Sequence, residues 1–154
     1  MLMQPELIIL VDTREKKNQH ILKYFDAKNI PYRKQALKSG DYSLEANGIQ
    51  QDIWIERKNS LDELIGNFTR SRIRFKHEFE RTPSAIKILL VEDNTYADII
   101  NGAYASKMNP KALLGSLLTW QWRYDVRIFF VPRAYSGNLI YHQFKYYLRE
   151  MCGK

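Results

Sequence analysis

The dipeptide Asn47-Gly48 constrains the fold of this chain more than any other short segment. Asn-Gly readily adopts the left-handed backbone angles of a tight turn, and such turns join two antiparallel strands. Residues 40–45 before it and 52–58 after it favour extended structure, and the second segment is rich in residues that favour strands. The sequence therefore predicts a β-hairpin.

The hairpin brings acidic and basic side chains to one face of the sheet. With the dipeptide at the centre of the turn, Asp41 pairs with Trp54. Directly paired side chains share a face and side chains alternate along a strand, so Glu56 and Lys58 lie on the same face as Asp41. Asp41 and Glu56 are then diagonal neighbours whose Cα atoms are about 7–8 Å apart, so both carboxylates can bind one cation.

Another carboxylate follows a predicted buried strand. Leu7 to Val11 is a continuous apolar run, which indicates a strand covered on both faces. The run ends at Asp12, and ligands of open α/β sheets bind where the central strands end. Asp12 is therefore a candidate for a further metal ligand, or for a residue that holds a metal-bound water.

The rest of the chain alternates helices with strands. Helices are predicted for residues 16–28, 61–80, 110 onwards and 136–151, and further strands for residues 32–37, 86–91 and 126–131. The second helix begins at a capping box of Ser60 and Glu63 and is expected to be broken or bent near Gly66. This alternation predicts an α/β fold, with a mixed central β-sheet flanked by helices, in a single domain of residues 1–154.

Two carboxylates beside a lysine suit the hydrolysis of a phosphodiester. Mg²⁺ binds a few carboxylates together with water and substrate phosphate, and it polarises the phosphate and acidifies a water. Lys58 would orient that water and offset the charge that builds on phosphorus. The alternative is a surface ion-pair cluster, which an isolated Glu-x-Lys triplet favours. The companion residues Asp41 and Asp12 favour the metal site.

Three short motifs together resemble those of the XPF-type nuclease domain, which belongs to the PD-(D/E)xK nuclease superfamily. They are Val11-Asp12-Thr13-Arg14-Glu15, Gly40-Asp41-Tyr42, and Glu56-Arg57-Lys58 with Asp62. Their order and spacing match the family, and the resemblance extends from about Ile8 to the C-terminal helix. The resemblance implies a restriction-endonuclease-like core and a metal-dependent DNA endonuclease. Asp41 and Glu56 would bind Mg²⁺ or Mn²⁺ with Asp12 close by, and Lys58 would be the catalytic lysine.

The resemblance also implies roles for two arginines and one acidic residue. Arg14 and Arg57 would contact phosphate or fix the carboxylates, although strand alternation puts Arg57 on the opposite face from Glu56. The acidic position after the third motif falls on Asp62, or on Glu63 because of one extra residue in this chain. The resemblance further implies a free-standing version, such as bacteria and phages encode, without the helix-hairpin-helix modules that help repair enzymes select branched DNA.

The charge of the chain favours a polyanionic partner. The formal net charge is +7, and an excess of this size favours nucleic acid. The predicted second helix carries Arg70, Arg72, Arg74 and Lys76, which we expect to hold the DNA backbone near the metal, the alternative being a solvated helix face. The expected activity is structure-selective cleavage of branched, flap or fork DNA. A non-catalytic DNA-binding or partner subunit and a ribonuclease are the alternatives.

Other features limit the cofactors and the location. The single cysteine, Cys152, allows no internal disulfide and no cysteine cluster for zinc, and no organic cofactor is expected. No segment approaches the ~20 apolar residues of a membrane span, and Met1–Leu10 does not resemble a signal peptide, so we expect a cytoplasmic protein, or a nuclear one in a nucleated cell. Aromatic residues crowd the last helix, and any that are exposed would mark an interface. The resemblance implies that the chain forms a homodimer through its nuclease domain, with twofold pairing as the default.

Overall fold

The centre of the fold is a seven-stranded mixed sheet. The computed structural model describes residues 6–152, without the side chain of Cys152. The strands are β1 (Leu7–Val11), β2 (Tyr32–Lys34), β3 (Tyr42–Ala46), β4 (Ile49–Gln50), β5 (Ile53–Lys58), β6 (Ile86–Glu92) and β7 (Val126–Val131). The helices are α1 (Gln19–Ala27), α2 (Leu61–Phe68), α3 (Arg72–Glu80), α4 (Tyr96–Ile100), α5 (Pro110–Tyr124) and α6 (Ser136–Cys152), and a 3-10 turn covers Arg133–Tyr135.

The topology brings the ends of several strands to one edge of the sheet. The order is β2-β1-β3-β5-β6-β7, with β4 paired to β3. Strand β3 is antiparallel to β1, β4 and β5, whereas the pairs β1–β2, β5–β6 and β6–β7 are parallel. The carboxyl ends of β1, β5 and β6 therefore lie at the same edge as the start of β3. The predicted mixed sheet is confirmed.

Helices cover both faces of the sheet over separate apolar cores. On one face, α1 and α6 contribute Phe25 and Phe144 to a core with side chains of β1, β3 and β5. On the other face, α2, α3 and α5 build a core around Trp120, whose ring centroid lies 5.0 Å from that of Phe68. Alternate residues of β6 enter the two cores, which explains the continuous apolar sequence of this strand.

The predicted hairpin turn is present, but the strand register beyond it differs from the prediction. The turn dipeptide has φ values of 51° and 82°, and the first pairs after it are those expected. Further along, Tyr42 pairs with Ile55, whereas an unbroken hairpin predicts Ile53. The second strand is interrupted at residues 51–52, between β4 and β5, and two additional residues are accommodated there. Because side chains alternate with a period of two, this offset leaves every side chain on its predicted face.

The single helix predicted after β5 is divided into two helices, α2 and α3. Helix α2 ends at Phe68 and α3 starts at Arg72, so the predicted break is present just beyond Gly66, which lies within α2. The Thr69 hydroxyl donates to the Ile65 carbonyl at 2.8 Å, a local bond that competes with the helical pattern. The helix start is as predicted, since Ser60 is the N-cap of α2.

Several predictions concern the ends and the surface of the molecule. Residues 1–5 of the N-terminal segment and the side chain of Cys152 lie outside the described residues. Within the described part, no helix is long and apolar enough to cross a membrane. Among the aromatic residues near the C-terminus, Phe144 is buried, whereas Trp122 is 81% exposed and Tyr146 is 49% exposed. The homodimer stays a prediction.

Candidate active site

Asp41, Glu56 and Lys58 meet on one face of the sheet, where β5 ends and β3 begins. The Lys58 Nζ atom lies 2.8 Å from Glu56 Oε2, and the pairing of Tyr42 with Ile55 places Asp41 opposite Glu56, so that their carboxyl groups face each other. The predicted pairing of Asp41 with Trp54 is wrong, because the Asp41 N–H donates to the Ile55 carbonyl at 2.8 Å. The register offset brings Glu56 closer to Asp41 than a diagonal pairing would.

Hydrogen bonds from two neighbouring segments hold the carboxylate and the backbone of Asp41 in place. One carboxylate oxygen, Oδ2, accepts the backbone N–H of Arg57 at 2.8 Å. The Asp41 carbonyl accepts the N–H of Asp12 at 2.8 Å, which ties the segment to the end of β1. Strand β5 thus orients the carboxylate of Asp41, and the end of β1 holds its backbone.

Gly40 is required at the preceding position for two reasons. Its φ is 80°, which favours glycine, and a Cβ atom there would lie 2.7 Å from the Cβ of Trp54. Its N–H donates to Glu78 Oε1 at 2.9 Å, and the Ser39 hydroxyl donates to the Glu78 carbonyl at 2.9 Å. Helix α3 therefore holds the loop that carries Asp41.

The burial of these groups shifts their protonation. Glu56 and Lys58 are each 7% exposed, and Asp41 is half-buried. Burial and the facing Glu56 carboxyl raise the pKa of Asp41 well above its usual range, and burial raises the pKa of Glu56 although Lys58 opposes the shift. Burial alone would lower the pKa of Lys58, but the adjacent Glu56 more than offsets it, so that this pKa is raised. Ionising both carboxyl groups together is therefore unfavourable, and a bound cation would offset that cost.

Asp12 lies next to this group but its oxygens already have donors. Oδ1 accepts the N–H of Leu37 at 2.8 Å, and Oδ2 accepts the backbone N–H of Arg14 at 3.1 Å and its Nε–H at 2.9 Å. Burial opposes ionisation of Asp12, but these hydrogen bonds outweigh it and lower its pKa. The side chain of Arg14 is 71% exposed, so its guanidinium borders the solvent above the site.

Arg57 points to the opposite face of the sheet, as strand alternation predicts. Its guanidinium donates to Glu15 Oε2 at 2.8 Å and to Glu92 Oε1 at 2.7 Å, and it also donates to the carbonyl of Lys16. The second oxygen of Glu92 lies 2.6 Å from both His20 Nε2 and the Ser136 hydroxyl. A buried ionic network thus connects β5, β6, α6 and the segment after β1.

The acidic position after Lys58 divides between two residues. The Asp62 carboxylate accepts the backbone N–H groups of Ala105 and Ser106 at 3.1 and 2.8 Å, so it anchors the loop before α5. Glu63 Oε1 lies 3.8 Å from Lys58 Nζ. Of the two candidates, Glu63 is the one that approaches Lys58.

The predicted DNA-binding residues separate into three environments. Arg70 and Arg74 line an open groove. Arg72 borders the same groove, but its guanidinium lies 4.8 Å from the centre of the Trp120 ring. Lys76 is exposed on α3 and does not line the groove. The structure therefore brings together only part of the predicted basic surface.

Four polar residues of the site were not predicted from the sequence. The motifs assign no role to Glu15, His20, Glu78 or Glu92, although Glu15 lies within the first of them. Glu92 carried a usable signal, because it ends a buried apolar strand in the same way as Asp12. The partners of His20 and Glu78 are distant in sequence, so no local pattern identifies them.

These features define a nuclease-like domain, namely a mixed sheet between helices with two carboxyl groups and a lysine at the end of a central strand. A family model for the ERCC4 domain matches residues 11–142. Because that match covers most of the chain, the protein belongs to the ERCC4 domain family. No curated protein is significantly similar in sequence.

Solved structures have the same fold. The structure of XPF from Aeropyrum pernix matches with a TM-score of 0.69 and 18% identity, covering 96% of this chain and 64% of that one. A structure of XPF from Aeropyrum pernix in complex with DNA matches with a TM-score of 0.69 and 16% identity, covering 93% of this chain and 66% of that one. This chain spans less than two thirds of either protein. The predicted fold and the resemblance to XPF-type nuclease domains are confirmed.

Proposed function

We propose that this protein is a divalent-metal-dependent DNA endonuclease that hydrolyses phosphodiester bonds in branched DNA such as flaps or forks. The observation that carries the proposal is the placement of Asp41 opposite Glu56, beside Lys58. Removing a charged group from water costs several kcal/mol per ion, roughly, and two like charges in contact add repulsion. Such an arrangement lowers the stability of the fold, and arrangements of this kind are concentrated at functional sites.

The acidic pair fits a hard divalent cation. Mg²⁺ in proteins commonly takes one or two carboxylates and completes its shell with water and substrate phosphate, and Asp41 with Glu56 offers such a pair. Across residues 6–152, no group of three or more His, Cys, Asp or Glu side chains is arranged to hold an ion, so the other ligands would come from water and DNA. When bound, Mg²⁺ or Mn²⁺ supplies a Lewis acid that polarises the phosphate and lowers the pKa of water.

Lys58 supplies positive charge beside the reacting phosphate. Its ammonium is held 2.8 Å from Glu56 and 5.3 Å from the centre of the Phe75 ring, so few orientations are open to it. In this position it orients the attacking water and stabilises the negative charge that grows on the phosphoryl oxygens. The water oxygen attacks phosphorus and loses a proton to solvent, while the bond from phosphorus to the leaving oxygen breaks and that oxygen takes a proton from water.

Asp12, Arg14 and Arg57 have supporting roles in this proposal. Asp12 holds the exposed guanidinium of Arg14, which contacts a phosphate of the substrate. A direct bond from Asp12 to the cation would require its present hydrogen bonds to open. Arg57 acts through its backbone N–H, which orients Asp41, because its side chain lies on the other face of the sheet.

A cleavage panel tests the proposal. Labelled flap, fork, nicked, duplex and single-stranded DNA, and RNA versions of these substrates, are incubated with and without Mg²⁺. We expect metal-dependent cutting of flap or fork DNA that is lost in Asp41→Asn and in Lys58→Met. The matched control is Glu45→Gln, which changes an acidic residue of β3 that pairs with Arg33.

Two outcomes contradict the proposal. Full cutting by Asp41→Asn refutes the assigned site. A wild-type protein that binds branched DNA but cuts no substrate in the panel indicates a non-catalytic subunit.

A further inference from the structure

We propose that the outer side of α3 binds the sugar-phosphate backbone of one DNA strand alongside the active site, an inference that rests on the proposed nuclease function. Four residues form this surface, which we call the basic row: Arg70, Arg74, His77 and Arg81. All four line one groove. Arg74, His77 and Arg81 are three or four residues apart, which places them on one side of the helix, away from the buried Phe75 and Phe79, and Arg70 lies in the connection just before the helix.

Two arginines of the basic row have no acidic partner. By contrast, Arg57 pairs with Glu15, and Arg81 of the same row pairs with Glu78 at 3.3 Å. Within residues 6–152, neither Arg70 nor Arg74 forms an ion pair, and the polar contact of Arg74 is a hydrogen bond of 3.2 Å to the Ser71 hydroxyl. Guanidinium groups that protein carboxylates leave unneutralised attract phosphate and bind it in a forked geometry.

The two ends of the basic row are attached to elements that carry the active site. At one end, the Arg81 Nε–H donates to the Lys38 carbonyl at 3.1 Å, in the loop that leads to Asp41. At the other end, Arg70 lies against Gly66 of α2, where an added Cβ atom would be 2.9 Å from Arg70 Nη2. Helix α2 directly follows the strand that carries the catalytic lysine. A strand bound along the row therefore passes beside the reacting phosphate.

Two neighbouring cations of α3 are outside the basic row. Arg72 lies over Trp120 and donates to the Phe68 carbonyl at 3.0 Å, so its guanidinium is directed at the protein. Lys76 lies outside the groove. The proposed surface therefore includes His77 and Arg81, and it excludes Arg72 and Lys76.

The length of the basic row fits a short stretch of one strand. From Arg74 to Arg81 the helix advances about 10 Å, since each residue adds about 1.5 Å. One strand of a duplex advances about 3.4 Å per nucleotide, so this part of the row spans about three nucleotides. The row is thus long enough to fix the direction of the strand as well as to attract it.

Binding measured without cleavage tests the inference. Fluorescence anisotropy of a labelled DNA fork is followed in EDTA over a series of salt concentrations. We expect Arg70→Ala and Arg74→Ala each to weaken binding about three- to tenfold and to lower the slope of log Kd against log salt by about one. Arg74→Lys retains the charge and most of the affinity. Lys76→Ala removes the same charge from the same helix and should leave the slope unchanged.

Equal effects of Arg74→Ala and Lys76→Ala would overturn the inference, because only the net charge would then matter. Wild-type binding by Arg70→Ala and Arg74→Ala would also overturn it. The side chains of Arg70 and Arg74 are both exposed, so neither substitution should unfold the protein, and urea unfolding of each variant checks this. The binding assay includes no cutting step, so its result is independent of the cleavage panel. If binding depends on the basic row but the protein cuts no substrate, only the proposed nuclease activity is refuted. Normal cleavage with row-independent binding refutes only this inference.

Discussion

Replacing Glu92 by glutamine removes a single negative charge from the centre of the ionic network. Glu92 is 0% exposed and accepts hydrogen bonds from Arg57 at 2.7 Å and from Ser136 at 2.6 Å. Glutamine preserves the shape of the side chain and one acceptor oxygen, but it leaves the buried guanidinium of Arg57 with only Glu15 as a carboxylate partner. The fold then contains a positive charge that is incompletely neutralised.

The expected cost is large for a substitution of equal size. Removing one partner of a buried ion pair costs about 3–5 kcal/mol of unfolding free energy. Because Glu15 still neutralises part of the Arg57 charge, we expect Glu92→Gln to cost about 2–3 kcal/mol. For a chain of this size, that corresponds to a decrease of the melting temperature by about 5–10 °C. The matched control Glu45→Gln removes a partly exposed ion pair with Arg33, and should cost less than about 1 kcal/mol.

Urea unfolding at neutral and acidic pH measures this difference. Burial opposes ionisation of Glu92, but hydrogen bonds from Ser136 and His20 and the charge of Arg57 lower its pKa in the folded protein. A lowered pKa of a carboxyl group contributes stability above the unfolded value of about 4.3, and this contribution is lost as the pH falls through the folded value. The gap between wild type and Glu92→Gln should therefore narrow at acidic pH. A difference below about 1 kcal/mol at pH 7, comparable to that of a surface pair, refutes the reasoning.

Three further substitutions test other contacts. Arg72→Ala should lose about 1–2 kcal/mol of unfolding free energy, through its cation–π contact with Trp120 and its hydrogen bonds, without changing the salt dependence of DNA binding. Gly40→Ala should lower stability by about 2 kcal/mol or more in thermal unfolding, because a Cβ atom would lie 2.7 Å from Trp54 and the backbone φ is 80°. Asp62→Ala removes the acceptor of two N–H groups in the loop before α5, and limited proteolysis should cut this loop faster than in wild type. For each variant, a stability or proteolysis rate equal to that of wild type would contradict the role given to the contact.

The face shared by the acidic pair and the lysine was predictable because side-chain alternation is a local property. The offset of two residues after Glu45 and Gln50 changed the pairing partner of Asp41 without changing its face. The placement of Asp41 directly opposite Glu56 was not predictable, since it depends on the interruption between β4 and β5. A hairpin rule fixes the turn, but it does not reveal an irregularity further along the strand.

The partners of Arg57 in the ionic network, and the contacts of the basic residues of α3, could not be predicted from the sequence because they depend on the tertiary structure. Arg57 contacts Glu15 and Glu92 across 42 and 35 residues of sequence, so the pairing follows from the order of the strands. The sequence of α3 likewise predicts a charged helix without indicating that Arg72 lies over Trp120. The helix α4 was missed although Thr95 begins it with a capping box, because five residues show no hydrophobic period.

The most direct test of the account is a titration of the protein with Mn²⁺ followed by electron paramagnetic resonance, which measures the bound ion independently of cleavage. The account predicts saturable binding by wild type that is lost in Asp41→Asn and in Glu56→Gln and is retained in Glu45→Gln. Binding of Mn²⁺ with unchanged affinity by both Asp41→Asn and Glu56→Gln would contradict the central claim that these two carboxylates hold the catalytic cation.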